Sequence, residues 1–218
     1  MRLRKPRGPR LGKLCASALL AALACLPQAA AQVAPRAARY RLDAARSTFI
    51  VRAHSGGPLW FKGHDHLIAA RDFAGEVRLA PGSPETASLR LTVRADSLAE
   101  TREVFTEQQK QIINRELREI VLEPDKYPEI TFQSTGVSGR LAAGVYRLRI
   151  EGDLTLHGVT RRVRIPAEVI VAGRELRARG HFDIDRGDFN VKATSAFHGL
   201  VRVRDRLRVS FDIVGTEQ

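Results

Sequence analysis

Residues 145–157 read VYRLRIEGDLTLH. Tyr146, Leu148, Ile150, Leu154 and Leu156 fall on one parity, and Arg147, Arg149, Glu151, Asp153 and Thr155 on the other. Successive side chains of a strand point to opposite faces, so this alternation predicts one long strand with a dry face and a wet face. Gly152 stands on the dry side, where a missing side chain permits a bend or a close approach. The same period spreads outward from this stretch. Phe49, Val51 and Ala53 form one set, and Phe73, Val77 and Leu79 another. Leu89, Leu91, Val93 and Ala95 alternate with Arg90, Thr92 and Arg94. Downstream, Val163 and Ile165 continue the pattern beyond His157 and Gly158. Leu176, Ala178, Phe182 and Ile184 alternate with Arg177, Arg179, His181 and Asp183, which puts His181 on the solvent face. Leu207, Val209, Phe211 and Ile213 alternate with Arg206, Arg208, Ser210 and Asp212.

Turn residues separate these runs: Pro81-Gly82-Ser83-Pro84, Ala142-Ala143-Gly144, Ala172-Gly173 and Arg186-Gly187-Asp188. Parallel neighbours need crossovers of a dozen residues or more, so strands this closely spaced are mostly antiparallel. Residues 106–121, TEQQKQIINRELREIV, change the period. Ile112, Ile113, Leu117, Ile120 and Val121 recur at helical spacing, Thr106 and Gln109 can form a capping box, and Pro124 lies just beyond. About eight to ten strands with one apolar face describe a sheet curled on itself. A two-sheet sandwich competes. Long strands in hairpin order favour an elongated up-and-down barrel carrying one amphipathic helix.

The chain has 218 residues and a net charge of +12. Its first segment accounts for half of that charge. Arg2, Arg4, Lys5, Arg7, Arg10 and Lys13 precede an apolar run from Leu14 to Leu26, and Pro27 is followed by Ala29-Ala30-Ala31. This order is that of a secretory signal over residues 1–31, cut after Ala31. The run is short for a membrane helix. An uncleaved anchor is the alternative, and a lipidated Cys25 is disfavoured by Ala22 where a leucine-like residue is expected. Cleavage removes six basic residues and no acidic ones, leaving +6. Both cysteines, Cys15 and Cys25, leave with it, so disulfides, thiolate nucleophiles and cysteine metal sites are excluded from the mature chain. Residues 32–38 read as a flexible leader and 39–216 as a single domain.

Three motifs then carry a family resemblance. Residues 126–134, KYPEITFQS, 152–161, GDLTLHGVTR, and 182–190, FDIDRGDFN, resemble in order and spacing the signatures of the YceI-like family. Tyr40-Arg41-Leu42-Asp43 followed by Ser47 also fits, so the likeness covers about residues 39–215. It implies a lipocalin-like antiparallel barrel of about eight strands in a secreted or periplasmic bacterial protein. It also implies a polyisoprenoid or fatty-acyl amphiphile as bound ligand, with no cofactor required. The Gly63-His64-Asp65-His66 element departs from the family pattern.

The candidate ligand-binding surface is the inward stripe: Phe49, Val51, Phe73, Val77, Leu91, Val93, Phe132, Tyr146, Leu148, Ile150, Leu154, Leu156, Phe182, Ile184, Phe189 and Phe197. An eight-stranded barrel either fills with such side chains or leaves room for one ligand, and Gly75, Gly152 and Gly180 on or near the inward face point toward a cavity. His64, His66 and His157 are candidate polar contacts. On a strand, His64 and His66 would share a face and could begin a metal site. A third donor from His54, His157, His198 or a carboxylate is then required, and the alternative is hydrogen-bonded rim histidines. His157 is otherwise a turn-stabilising residue. No catalytic constellation is present: there is no Gly-x-Ser-x-Gly elbow, phosphate loop or His-Glu-x-x-His helix. Mature arginines outnumber lysines 26 to 4 but interleave with acids, and aromatics are few. That argues against a nucleic-acid partner and for a hydrophobic small molecule, with transient contact to a membrane surface. A monomer and a homodimer both remain open. A filled barrel that docks a protein is the third functional class, beside the carrier and the histidine-based enzyme or metal binder.

Overall fold

The computed structural model describes residues 36–59, 61, 63–196 and 201–218. The expected signal at 1–31, with Cys15 and Cys25, most of the leader, and Trp60, Phe197 and His198 lie outside the described residues. Among the described residues eleven strands form one sheet: β1 (Ala38–Gly56), β2 (His66–Ala70), β3 (Phe73–Ala80), β4 (Ser83–Arg94), β5 (Leu98–Glu100), β6 (Glu129–Ala142), β7 (Val145–Leu156), β8 (Val159–Ala172), β9 (Glu175–Asp185), β10 (Ser195–Ala196) and β11 (Val201–Glu217). Eight of them close a ring in the order β1-β3-β4-β6-β7-β8-β9-β11 and back to β1, each pair antiparallel. A closed ring replaces the competing sandwich. β1 begins at Ala38, within the stretch expected to be leader.

The stretch at 145–157 behaves as its period demands. Tyr146, Leu148, Leu154 and Leu156 of β7 are buried while Arg147 and Arg149 are exposed. Two inward glycines act differently from the expectation that they open a cavity. At Gly152 an added Cβ would strike the Phe132 ring on β6, and at Gly180 it would lie 2.6 Å from the Phe211 ring. Both glycines receive a neighbouring strand's phenylalanine, so they permit close inter-strand packing.

The ladder is irregular on one side. β2 and β3 are one strand interrupted at Arg71 and Asp72, and β4 and β5 are one strand interrupted at Ala95–Ser97. β1 serves both halves, pairing Ala38–Arg41 with β3 and Ile50–Ala53 with β2. Between those halves β1 shifts register against β11 at Asp43 and Thr48. There Asp43 Oδ1 accepts the amides of Ala45 and Arg46 at 3.0 and 3.2 Å, and Ser47 Oγ accepts the amide of Val214 at 2.9 Å. Side-chain oxygens thus satisfy backbone groups that the shifted ladder leaves unmatched.

α1 (Glu107–Glu116) stands beside β5. Asn114 Oδ1 accepts the Glu100 amide at 2.8 Å, a bond that a further strand would otherwise supply. The capping box forms as expected: Thr106 N–H donates to Gln109 Oε1 at 2.8 Å and Gln109 N–H to Thr106 Oγ1 at 3.3 Å. The helix expected over 106–121 has a different ending. After Glu116 the chain adopts a π-helical turn, Leu117–Leu122, and stops at Glu123 in the left-handed region (φ 45°). The wider turn rotates the stripe, so Leu117 and Leu122 are buried and Ile120, expected on the apolar face, is exposed.

Candidate functional site

The barrel holds a cavity of about 540 Å³, within the range of small-molecule sites. Its wall runs from α1 at one end to Leu79 and Leu176 at the other, and it is almost entirely apolar. Of the residues expected to bind ligand, Phe49, Val51, Val77, Leu91, Val93, Phe132, Leu148, Ile150, Leu154, Leu156, Phe182 and Ile184 lie on this wall. Phe73, Tyr146 and Phe189 do not. Tyr146 sits beyond the wall at the closed end, where the Gly82 amide donates to its hydroxyl at 3.3 Å. Phe189 is 2% exposed within the turn after β9, packed into the core behind the wall, and Phe73 is likewise core. Phe197 is not described.

Several wall residues were absent from that stripe. Ile165, Val209, Phe211 and Ile213 share its alternation, and a complete reading of the period would have included them; Leu42 has the opposite parity to Phe49 and Val51 and reaches the wall through the register shift in β1. Ile113, Leu117, Val121 and Leu122 come from the helix and the turn that follows it, so the helical stripe covers one side of the cavity. Phe105 also lines it and carries no periodic signal.

The Gly63-His64-Asp65-His66 element forms part of the rim. His64 precedes β2 and His66 begins it, yet both rings meet Phe105, His64 edge-on at 5.7 Å and His66 stacked at 5.4 Å between centroids. His66 Nδ1 lies 2.8 Å from Glu100 Oε2. The Glu100 side chain is fully buried, and its Oε1 accepts the amides of Leu67, Thr101 and Arg102 at 3.2, 2.9 and 2.8 Å. Burial alone would raise the Glu100 pKa, but the bonds from His66 and from the Arg102 and Leu67 amides outweigh it and hold the group below the ordinary glutamate value. An ionised carboxylate only accepts, so His66 donates from Nδ1 and presents Nε2 away from Glu100. A second pair lies on the outer side of the same loop, with His54 Nδ1 2.8 Å from Asp65 Oδ2 and the Ser55 amide donating to Oδ1 at 3.1 Å. Burial also raises the Asp65 pKa, and the Ser55 amide and His54 together turn the shift downward.

The metal expectation for His64 and His66 required a third donor. Among the described residues no three histidine, cysteine or carboxylate side chains converge as a metal-ion site. His157 is not a cavity contact either. It occupies the β7–β8 turn in the left-handed region (φ 52°), on the parity opposite to the inward residues of β7. Its Nε2 lies 3.0 Å from Glu123 Oε2 and its ring packs 4.1 Å from that of Tyr127. Tyr127 also covers Gly158, where a Cβ would lie 2.7 Å from the ring. The two motifs at 126–134 and 152–161 therefore meet face to face and lock the helix exit to the turn.

A family model described as YceI-like domain matches residues 40–215. A UPF0312 protein of Pseudomonas fluorescens is 32% identical over 130 residues, covering 55% of this chain and 61% of the relative, so the chain spans about three fifths of that relative's length. A UPF0312 protein of Vibrio parahaemolyticus is 44% identical over 54 residues, which are 25% of this chain and 27% of that protein. Among solved structures, BcnA of Burkholderia cenocepacia superposes with a TM-score of 0.63 at 21% identity, covering 80% of this chain and 99% of BcnA. A polyisoprenoid binding domain from Saccharophagus degradans superposes with a TM-score of 0.59 at 13% identity, covering 82% of this chain and 98% of that domain. At these identities the structures show a shared barrel, and the model match over the described strands shows that the chain belongs to the YceI-like family.

Proposed function

We propose that the protein is a carrier or sequestering protein for a long apolar chain, a polyisoprenoid or fatty-acyl amphiphile, held in the barrel without any bond being made or broken. The observation that carries this is the continuous apolar cavity of about 540 Å³ beneath α1. Each buried CH₂ contributes about 0.8 kcal/mol, so chain length sets affinity. The name of the Saccharophagus degradans relative supports an isoprenoid. The order of residues 1–31 supports export to the periplasm or beyond, and the protein then acts as a monomer or homodimer with no cofactor. Near the mouth Phe61, Val104 and Ile112 are 63%, 50% and 49% exposed. Their apolar surface suits transient contact with the membrane from which such a chain is drawn.

Native mass spectrometry of the exported protein tests the reading. The expected result is a bound lipid released by organic solvent and regained on adding farnesol. Ala167→Phe, which pushes a ring into the cavity from β8, should abolish that uptake while the barrel stays folded. Protein that never carries lipid and takes up no farnesol overturns the proposal.

A further inference from the structure

The barrel wall has one side where a helix stands in place of a strand. β4 pairs with β6 from Arg90 to Arg94, and the Ala95 amide adds a last rung to the Pro128 carbonyl at 2.9 Å. Past that rung the chain ahead of β6 turns back, with the Lys126 and Tyr127 amides both donating to the Glu123 carbonyl. β5 continues the line of β4 and, among the described residues, pairs with β2 alone. Its other side meets α1, where Asn114 Oδ1 accepts the Glu100 amide at 2.8 Å.

The two faces of this seam differ. Inside, Ile113, Leu117, Val121 and Leu122 close the apolar cavity. Outside, a polar cleft of about 590 Å³ lies between β5 and α1, with Ala99 and Thr101 on one bank and Lys110 and Gln111 on the other. Ile112 belongs to the cavity wall and is also 49% exposed, so the cavity reaches the surface at the helix. No residue of α1 is buried, whereas Leu117 and Leu122 of the π-helical turn are. Beyond the turn, Glu123 is held by His157, whose ring packs on Tyr127. Elements with few buried apolar side chains are the ones that open first, so α1 is the movable part of the wall and the anchored turn is its pivot.

We propose that α1 is a side door: it parts from β5 at the Asn114–Glu100 bond, turns about Leu117–Leu122, and passes the apolar chain through the barrel wall. The inference rests on reading the cavity as the site of an apolar chain, and it adds the route by which that chain enters and leaves. Parting two neighbouring strands of the ring would break a run of backbone hydrogen bonds together. The seam carries no such ladder, and its bond already borders a polar cleft.

A linker across the cleft tests the route. With Cys15 and Cys25 replaced by serine the chain carries no other thiol. Ala99→Cys with Gln111→Cys then places one thiol on each bank, clear of the cavity wall, and a bis-maleimide joins them in the folded protein. cis-Parinaric acid, which fluoresces on leaving water, reports uptake and release by stopped flow. The linker should slow both rates by about tenfold or more and leave Kd unchanged, and protein loaded before linking should keep its probe. Asn114→Ala should do the reverse, raising both rates about fivefold at unchanged Kd. Linked protein that exchanges probe at the unlinked rate, a linker that weakens affinity without slowing release, or Asn114→Ala rates equal to wild type overturns the side door and leaves the cavity reading standing. Failure of the unlinked protein to bind the probe overturns the cavity reading itself.

Discussion

At the closed end of the barrel the chain reverses between Ala80 and Ser83, between Ala142 and Val145, and between Ala172 and Glu175, with Ala143 and Gly144 in left-handed conformations. Tyr40, Leu79, Tyr146, Leu148, Val169 and Leu176 pack there as one cluster. At the mouth the ends of the strands are joined by a helix, a π-helical turn, a histidine-bearing loop and the turn at Arg186–Phe189. Two buried polar side chains at that end stand in company: Glu100 with His66 and three amides, His157 with Glu123 and Tyr127. The floor is held by apolar packing among side chains of β1, β3, β7, β8 and β9. The mouth is held by hydrogen bonds and ring contacts among polar side chains.

Four substitutions test that contrast, in descending effect. Leu176→Ala removes a side chain only 1% exposed and should cost about 3 kcal/mol. That lowers the thermal midpoint by roughly 6–12 °C in a chain this size. A fall confined to the mouth, seen as faster amide exchange near Glu100 alone, would contradict the floor's role. Glu100→Ala should cost about 2 kcal/mol, with exchange accelerating at Leu67, Thr101 and Arg102 before it does in β8 or β9.

The same carboxylate gives the mouth an acid sensitivity. Its folded pKa lies below the unfolded glutamate value, so its contribution is complete above that value, about 4.3, and is lost as the pH falls through the lower folded one. The wild-type protein should lose protection at Leu67, Thr101 and Arg102 across that window, and Glu100→Gln should show no such step. The smallest effect belongs to the outer wall. Arg208→Gln breaks the exposed pair with Asp183 and should leave the melting temperature unchanged at low and high salt. A clear loss at low salt would show that the outer ion pairs contribute to the barrel.

The closed end was legible because its signals are local. Period-two alternation assigns Leu148 and Leu154 to the interior whatever their partners, and Ala142-Ala143-Gly144 announces its own reversal. Misassignments gather where alternation stops. Tyr146 and Phe189 have the right parity for the interior but lie beyond the wall, because parity gives a face and says nothing of depth along the barrel. His157 has the outward parity of Asp153 and Thr155, and the β7–β8 turn at positive φ carries it to Glu123 and Tyr127. The motif residues that carried the family resemblance also cluster at breaks in the ladder. Asp43 and Ser47 fill the β1 shift, Ser134 Oγ accepts the Leu89 amide at 2.8 Å beside the β6 irregularity, and Tyr127 covers the His157-Gly158 turn.

The sequence by itself determined the all-β class, the antiparallel order, the dry and wet faces and the capped helix. Each depends on residues within a few positions of one another. Closure of eight strands into a ring, the cavity left inside it, and the meeting of His66 with Glu100 or of α1 with β5 were decided by the tertiary structure. They depend on how large side chains from strands dozens of residues apart share one interior, and no local period records that volume.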